Sequence, residues 1–237
     1  VYVDDDWAGT MAGTDPDGSG PATNFGGDAF ATIQAGIAGL KTGGTLHVAA
    51  GNYYESDLII NKPLTLIGAG EGQTVIGPEV ADAHQCNPLT SAHQGIIVAA
   101  HDVTLQGFTL DGNADGSLAG DHHYRMGILT HYLSASYNNL TVQDVTIQHV
   151  WYRGIVVRAM SGGTSSGHQV INVTVDDLAG CTLAGESRGQ AFGILYFDAA
   201  GEIGHTTISN VCSGIAASSY TPLQVKQAVV GYGAADK

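Results

Sequence analysis

One phrase recurs through the chain: Gly95-Ile-Ile-Val, Gly127-Ile-Leu-Thr, Gly154-Ile-Val-Val, Gly193-Ile-Leu-Tyr and Gly214-Ile-Ala-Ala. The glycines lie 32, 27, 39 and 21 residues apart, so a fixed strand alternates with connections of variable length. A unit of that size cannot bury its apolar face alone; copies stack on one another and form a solenoid. Side chains two apart on a strand share a face. Ile96, Ile128, Ile155, Ile194 and Ile215 therefore form the inward stack, together with Val98, Thr130, Val157, Tyr196 and Ala217. The third position points outward although it is apolar. Ile97, Leu129, Val156 and Leu195 are then either roofed by the loops around 77–94, 112–126 and 159–168 or form an interface with a partner or a second copy.

Composition narrows the setting. Charged residues are 13% of the chain and glycines number 34, where about 25% and about 7% are usual. That balance suits a turn-rich all-β protein. A net charge of −14 argues against a nucleic-acid partner, which needs a basic face, and against an anionic membrane surface. With no apolar run long enough to span a bilayer, the chain is expected outside the cell, secreted or on its surface. It opens Val1-Tyr2-Val3-Asp4, as a trimmed product would. Cys86, Cys181 and Cys212 allow one bridge, Cys181 with Cys212, and exclude a dense disulfide framework or a zinc ribbon.

In chain order, residues 1–28 are a loop segment rich in turn residues. Residues 29–42 carry Phe30, Ile33, Ile37 and Leu40 at helical spacing, with Asp28 as the expected N-cap. Residues 43–217 are strands and turns, and 218–237 are a tail with no further complete coil, as if cut from a larger protein. A second strand in each coil, 108–110, 145–147, 173–175 and 206–208, centres on Thr109, Thr146, Thr174 and Thr207, an outward ladder.

The run Phe30-Ala-Thr-Ile-Gln-Ala-Gly-Ile, then Gly44-Thr-Leu-His-Val-Ala-Ala-Gly-Asn-Tyr-Tyr-Glu, then Leu64-Thr-Leu-Ile-Gly-Ala-Gly resembles the opening of pectin methylesterases and pectate-lyase-like proteins. The resemblance covers residues 29–76 and implies a right-handed parallel β-helix, here of about six coils, whose first turn is capped by the 29–42 helix. The catalytic motifs of pectin methylesterases are not found beyond Gly51-Asn-Tyr-Tyr-Glu55. Asp176-Asp177 matches the paired aspartate of polygalacturonases, without their other segments. Leu110-Asp-Gly-Asn resembles alginate lyases and epimerases, without their Asp-Pro-His segment.

Two constellations carry candidate chemistry. Asp111-x-Asn113-x-Asp115-Gly116, closed by Asp121, follows the spacing of a calcium loop, where alternate oxygen side chains wrap one cation. Asp15-x-Asp17-x-Ser19 is a shorter version, and the alternative for both is a polar turn. The second constellation is basic. Every arginine lies within residues 125–188. Arg125 and Arg153 flank one corner of neighbouring coils, and His131 and Arg158 share the far end of the same strands. Tyr124, Tyr152, Tyr196 and Asp198 accompany them. Guanidinium groups pair with the carboxylates of an acidic sugar, and rings stack on its apolar face. Two functions follow. One is a non-catalytic module that contacts polysaccharide, a protein partner or copies of itself. The other is a Ca²⁺-assisted lyase or epimerase that uses Arg125, His131, Arg153 and Arg158 on an acidic glycan.

Overall fold

The computed structural model describes residues 1–80, 93–118, 122–179, 191–211, 213–217, 223–226 and 229–232. Cys86, Cys181 and Cys212, with the bridge expected between the last two, lie outside them. The described strands pair in parallel and form a sheet curled about an axis. It has three faces.

The first face is the Gly–Ile sheet. Leu58–Ile60, Ile96–Val98, Tyr124–Thr130, 150–158, Phe192–Phe197 and Ser213–Ala217 stack with Ile96, Ile128, Ile155, Ile194 and Ile215 in register. The second face runs from Thr45–Val48 through Leu64–Gly68, 103–106, 140–143 and 169–171 to Ala199–Gly204. The third carries the threonine ladder, with Thr109, Thr146, Thr174 and Thr207 in register. The tail does not end the solenoid at 217. Leu223–Lys226 pairs with Ala199–Gly204, and Val229–Tyr232 pairs with Thr207–Val211, so the strand ladders continue through it.

A single strand, Leu140–Arg158, passes through all three faces. It turns at Asp144 and His149, which adopt φ of 52° and 51°. Asn172, His205, Asp177 and Asn210 repeat those corners on later coils, and all ten non-glycine residues described at positive φ are Asp, Asn or His. Short polar side chains tolerate the left-handed conformation better than other L-residues do. One such residue bends a strand without a loop.

The core lies between the faces. Ile96, Ile128, Ile155, Ile194, Val98, Val157 and Tyr196 are fully buried. The glycine of the repeat has a steric reason. A Cβ on Gly154 would sit 2.6 Å from the Gly193 carbonyl oxygen and 2.6 Å from Val175 Cγ1. The neighbouring coil and the third face both occupy the space a side chain would need.

The helix α1 (Ile33–Gly39) places Ile33, Ile37 and Leu40 in this core. Its N-cap is Thr32, whose hydroxyl accepts from the Ala35 N–H at 3.3 Å. The expected cap, Asp28, instead accepts from the Thr23 and Asn24 N–H groups. Phe30 precedes the helix in a short strand. Two donors of the first turn, Ile33 N–H and Gln34 N–H, are met by the Glu55 carboxylate at 2.5 and 2.9 Å. A carboxylate there also complements the positive helix end. Burial raises the Glu55 pKa, and those two bonds oppose the rise. Glu55→Ala strands both donors and is expected to cost about 2 kcal/mol, read as a lower urea midpoint at unchanged slope.

One interior base makes stability depend on pH. His168 is 1% exposed, and its Nδ1 accepts from Leu140 N–H at 3.3 Å. Burial lowers its pKa from 6.5 to about 4. The unfolded chain therefore takes up a proton as pH falls below 6.5, while the folded chain does not until about 4. Stability present above pH 6.5 is lost across that window, by about 3 kcal/mol. In His168→Asn this component of the acid loss is expected to vanish, as measured by urea unfolding at several pH values.

Candidate functional site

The outer side of the Gly–Ile sheet carries its own roof. Leu129, Val156 and Leu195 are 6%, 0% and 8% exposed. They form a second apolar cluster with Met126, Tyr132 and Tyr152, and Ile97, Trp151 and Phe192 pack against it. Among the described residues these contacts come from side chains near the ends of the same strands. Of the two alternatives for the stripe through Ile97, Leu129, Val156 and Leu195, the packing of Leu129, Val156 and Leu195 is that of a covered stripe, with Ile97 partly buried beside them.

A bulge sets which residues face out. Tyr124 pairs with Val150 and Met126 with Arg153, so one strand advances two residues while its neighbour advances three. The extra residue breaks the alternation. Tyr124 stays inside, fully buried, and donates its hydroxyl proton to the Glu55 carbonyl at 2.6 Å. Burial raises its pKa well above the usual tyrosine value, with Glu55 adding to the rise. Tyr196 is equally enclosed in the main core. Neither reaches a ligand, and both are corrected as substrate-binding candidates. Asp198 forms the sharp corner after Phe197, at φ 51°.

Tyr152 does face the second cluster, and it organises one end of the site. The Arg153 guanidinium lies 4.2 Å from the Tyr152 ring centroid and 5.7 Å from that of Phe192. Its Nη2 donates to the Tyr152 hydroxyl at 2.9 Å. Arg125, 8% exposed, lies 5.4 Å from the Tyr152 ring centroid. Burial pulls the Arg153 pKa below its ordinary value, opposed chiefly by Tyr152, yet an arginine keeps its proton at any working pH.

Arg158 marks the other end. It lies 4.3 Å from the Tyr132 centroid and 4.7 Å from that of Phe197, which is 38% exposed. His131 and Arg158 both stand two residues past the Leu129–Val156 pair, on adjacent strands. The His131 Nδ1 lies 2.8 Å from Ser134 Oγ, which lies 3.0 Å from the Tyr137 hydroxyl. Arg153 and Arg158 are five residues apart on one strand, about 16 Å at ~3.3 Å per residue. The four expected catalytic residues therefore divide into two stations.

Neither Arg153 nor Arg158 pairs with a carboxylate among the described residues, and the Nε of each is buried without a hydrogen bond. The strands of this face, from Gly95 to Ala217, contain no Asp or Glu. What stands there is a row of guanidinium groups laid on aromatic rings, an arrangement that holds anions and ring faces.

The acidic loops take a different form. Asp111 Oδ1 accepts from Asn113 N–H at 2.8 Å and lies 2.6 Å from His149 Nδ1, while its Oδ2 accepts from Gln148 Nε2 at 2.8 Å. Asp115 accepts from the Ser117 hydroxyl at 2.5 Å. Asp15 accepts from the N–H groups of Asp17 and Gly18, and Asp17 from that of Ser19. Asp121 lies outside the described residues. Among the described residues no group of three or more His, Cys, Asp or Glu side chains is arranged to hold a metal ion. No described helix is long and apolar enough to cross a membrane.

No protein-family model and no curated protein sequence matches the chain. Among solved structures, ORF18 of Geobacillus virus E2 is similar with a TM-score of 0.56 at 13% identity, over 96% of this chain and 41% of the viral one. The A-module of the Azotobacter vinelandii mannuronan C-5 epimerase AlgE4 gives 0.49 at 17% identity, over 94% of this chain and 59% of that one. Pectin methylesterase PemA of Erwinia chrysanthemi gives 0.49 at 13%, over 100% and 90%. The chain thus spans less than two thirds of the viral protein and of the epimerase module. With its parallel strands curled about one axis and its likeness to the viral protein, the chain is a parallel β-helix protein.

Proposed function

We propose that the outer face of the Gly–Ile sheet binds an acidic polysaccharide without cleaving it, as a module of a secreted or surface protein. One observation carries this reading: Arg153 and Arg158 are stacked on aromatic rings and have no described carboxylate partner, in a chain of net charge −14. Guanidinium groups with no carboxylate partner among the described residues make this face a local anion-binding site in an acidic protein, and a uronate supplies a carboxylate to it. Phe197, 38% exposed beside Arg158, offers a ring face to the apolar side of a sugar. Two stations about 16 Å apart on a strand suit a polymer better than a single sugar.

Affinity electrophoresis tests the reading. Pectate or alginate in the gel is expected to retard the protein, and a neutral glucan is not. Equal retardation by both, or none, contradicts it. A second reading, a lyase or epimerase, is favoured by the Tyr137–Ser134–His131 chain beside Arg158, which offers a proton acceptor next to a cation. An unsaturated product absorbing in the ultraviolet during incubation with a polyuronate would support the lyase, and exchange of the C5 hydrogen with deuterated water without such a product would support the epimerase, each lost in His131→Ala.

A further inference from the structure

The first residues fold back over the second face and border an open cleft that the arginine platform does not use. The cavity measures about 340 Å³, within the ~300–1,000 Å³ typical of small-ligand sites. His47 and Ile67, register partners on neighbouring strands, line its floor. Tyr2, Asp4, Trp7 and Asp17 line its walls. Tyr2 stacks on His47 with centroids 5.1 Å apart and planes 16° apart. No lysine or arginine lines it.

The carboxylates are only half engaged. Asp4 accepts one hydrogen bond, from Asp6 N–H at 3.0 Å, and Asp17 accepts one, from Ser19 N–H at 2.9 Å. The second oxygen of each has no described donor. Burial raises the Asp4 pKa, and the charges of Asp6, Asp5 and Asp17 add to the rise. Asp4 and Asp17 line the same cleft and give it an acidic wall.

We propose that this cavity binds a small organic cation, a quaternary or primary ammonium, seated against Trp7 and the Tyr2–His47 ring pair and held by Asp4 and Asp17. Aromatic faces attract such a cation, most strongly where water is excluded, and the carboxylates balance its charge. A bare divalent ion is a poorer match. Ca²⁺ needs six to eight oxygens, whereas this lining gives two carboxylates among rings and aliphatic groups.

Trp7 and Trp151 are the two tryptophans of the chain, so Trp151→Phe leaves Trp7 as the reporter. Choline is expected to change its fluorescence saturably. The neutral analogue with a tert-butyl group in place of the trimethylammonium is expected to bind at least tenfold more weakly. Asp17→Asn keeps the oxygen that accepts from Ser19 and removes the charge; it is expected to weaken choline about tenfold with an unchanged circular dichroism spectrum and melting midpoint. Asp4→Asn is a second such variant, should the first disturb the loop. Equal binding of the neutral analogue, unaltered affinity in both folded variants, or displacement of choline by equimolar Ca²⁺ overturns the proposal. So does the lack of a saturable change with both choline and n-butylamine.

Discussion

Gly154→Ala is expected to destabilise the protein by about 3 kcal/mol, near the upper range for an overpacked core. The new methyl would meet the Gly193 carbonyl oxygen and Val175 Cγ1, each at 2.6 Å. A side chain can rotate away from such a contact; a carbonyl in a strand ladder cannot move without loosening its own hydrogen bonds. Gly127 faces the same obstacle from the Gly154 oxygen at 2.6 Å, and Gly95 from the Gly127 oxygen at 2.6 Å. The column is self-consistent: each glycine makes room for the carbonyl of the next. Ile155→Val, which only removes a methylene from the adjacent inward column, is expected to cost about 1 kcal/mol. Urea unfolding of the two variants compares backbone crowding with simple loss of burial. Equal costs would refute the steric account of the glycine.

The inward columns were legible because strand alternation is rigid over a short, unbroken run. Ile128, Ile155 and Ile194 read correctly, and so did the threonine register on the third face. Tyr124, four residues before the inward Ile128, is inward by the same alternation, and its place beside Arg125 at the strand corner is what put it among the candidate ligand contacts. Tyr196 stands at an inward position by its spacing, and the core encloses it accordingly. Asp111 was unreadable. Its partner His149 is 38 residues away, and only the coil stacking brings them together. Other signals were present and went unused. Asp144, Asn172 and His205 recur at one corner, and Asp or Asn before each new strand marked the bends. Trp7, one of two tryptophans, stands beside the acidic run Asp4-Asp5-Asp6, which pointed to the cavity over the second face.

Arg153→Gln and Arg158→Gln are each expected to weaken polyuronate binding about tenfold, the worth of a partly solvated charge-assisted contact. The double variant is expected to lose about a hundredfold, because sites more than ~10 Å apart act additively. Both substitutions keep a polar, hydrogen-bonding end on the rings and leave the main core untouched, so melting midpoints are expected to change little. Salt gives an independent reading. Raising ionic strength screens partly exposed charges, so wild-type affinity is expected to fall steeply and that of the double variant only slightly. Affinity unchanged in the double variant would move the glycan to another surface.

Location is the central claim, and Trp151 reports on it. In Trp7→Phe the remaining tryptophan packs against the cluster of Met126, Tyr132 and Tyr152, and the Tyr152 ring lies within 5.4 Å of the Arg125 and 4.2 Å of the Arg153 guanidinium. Titration of that variant with pectate, followed by tryptophan fluorescence, is the most direct measurement. The account predicts a saturable change that tracks the affinity seen by electrophoresis and disappears in the Arg153→Gln, Arg158→Gln background. Retardation by pectate with no response from Trp151 would contradict it.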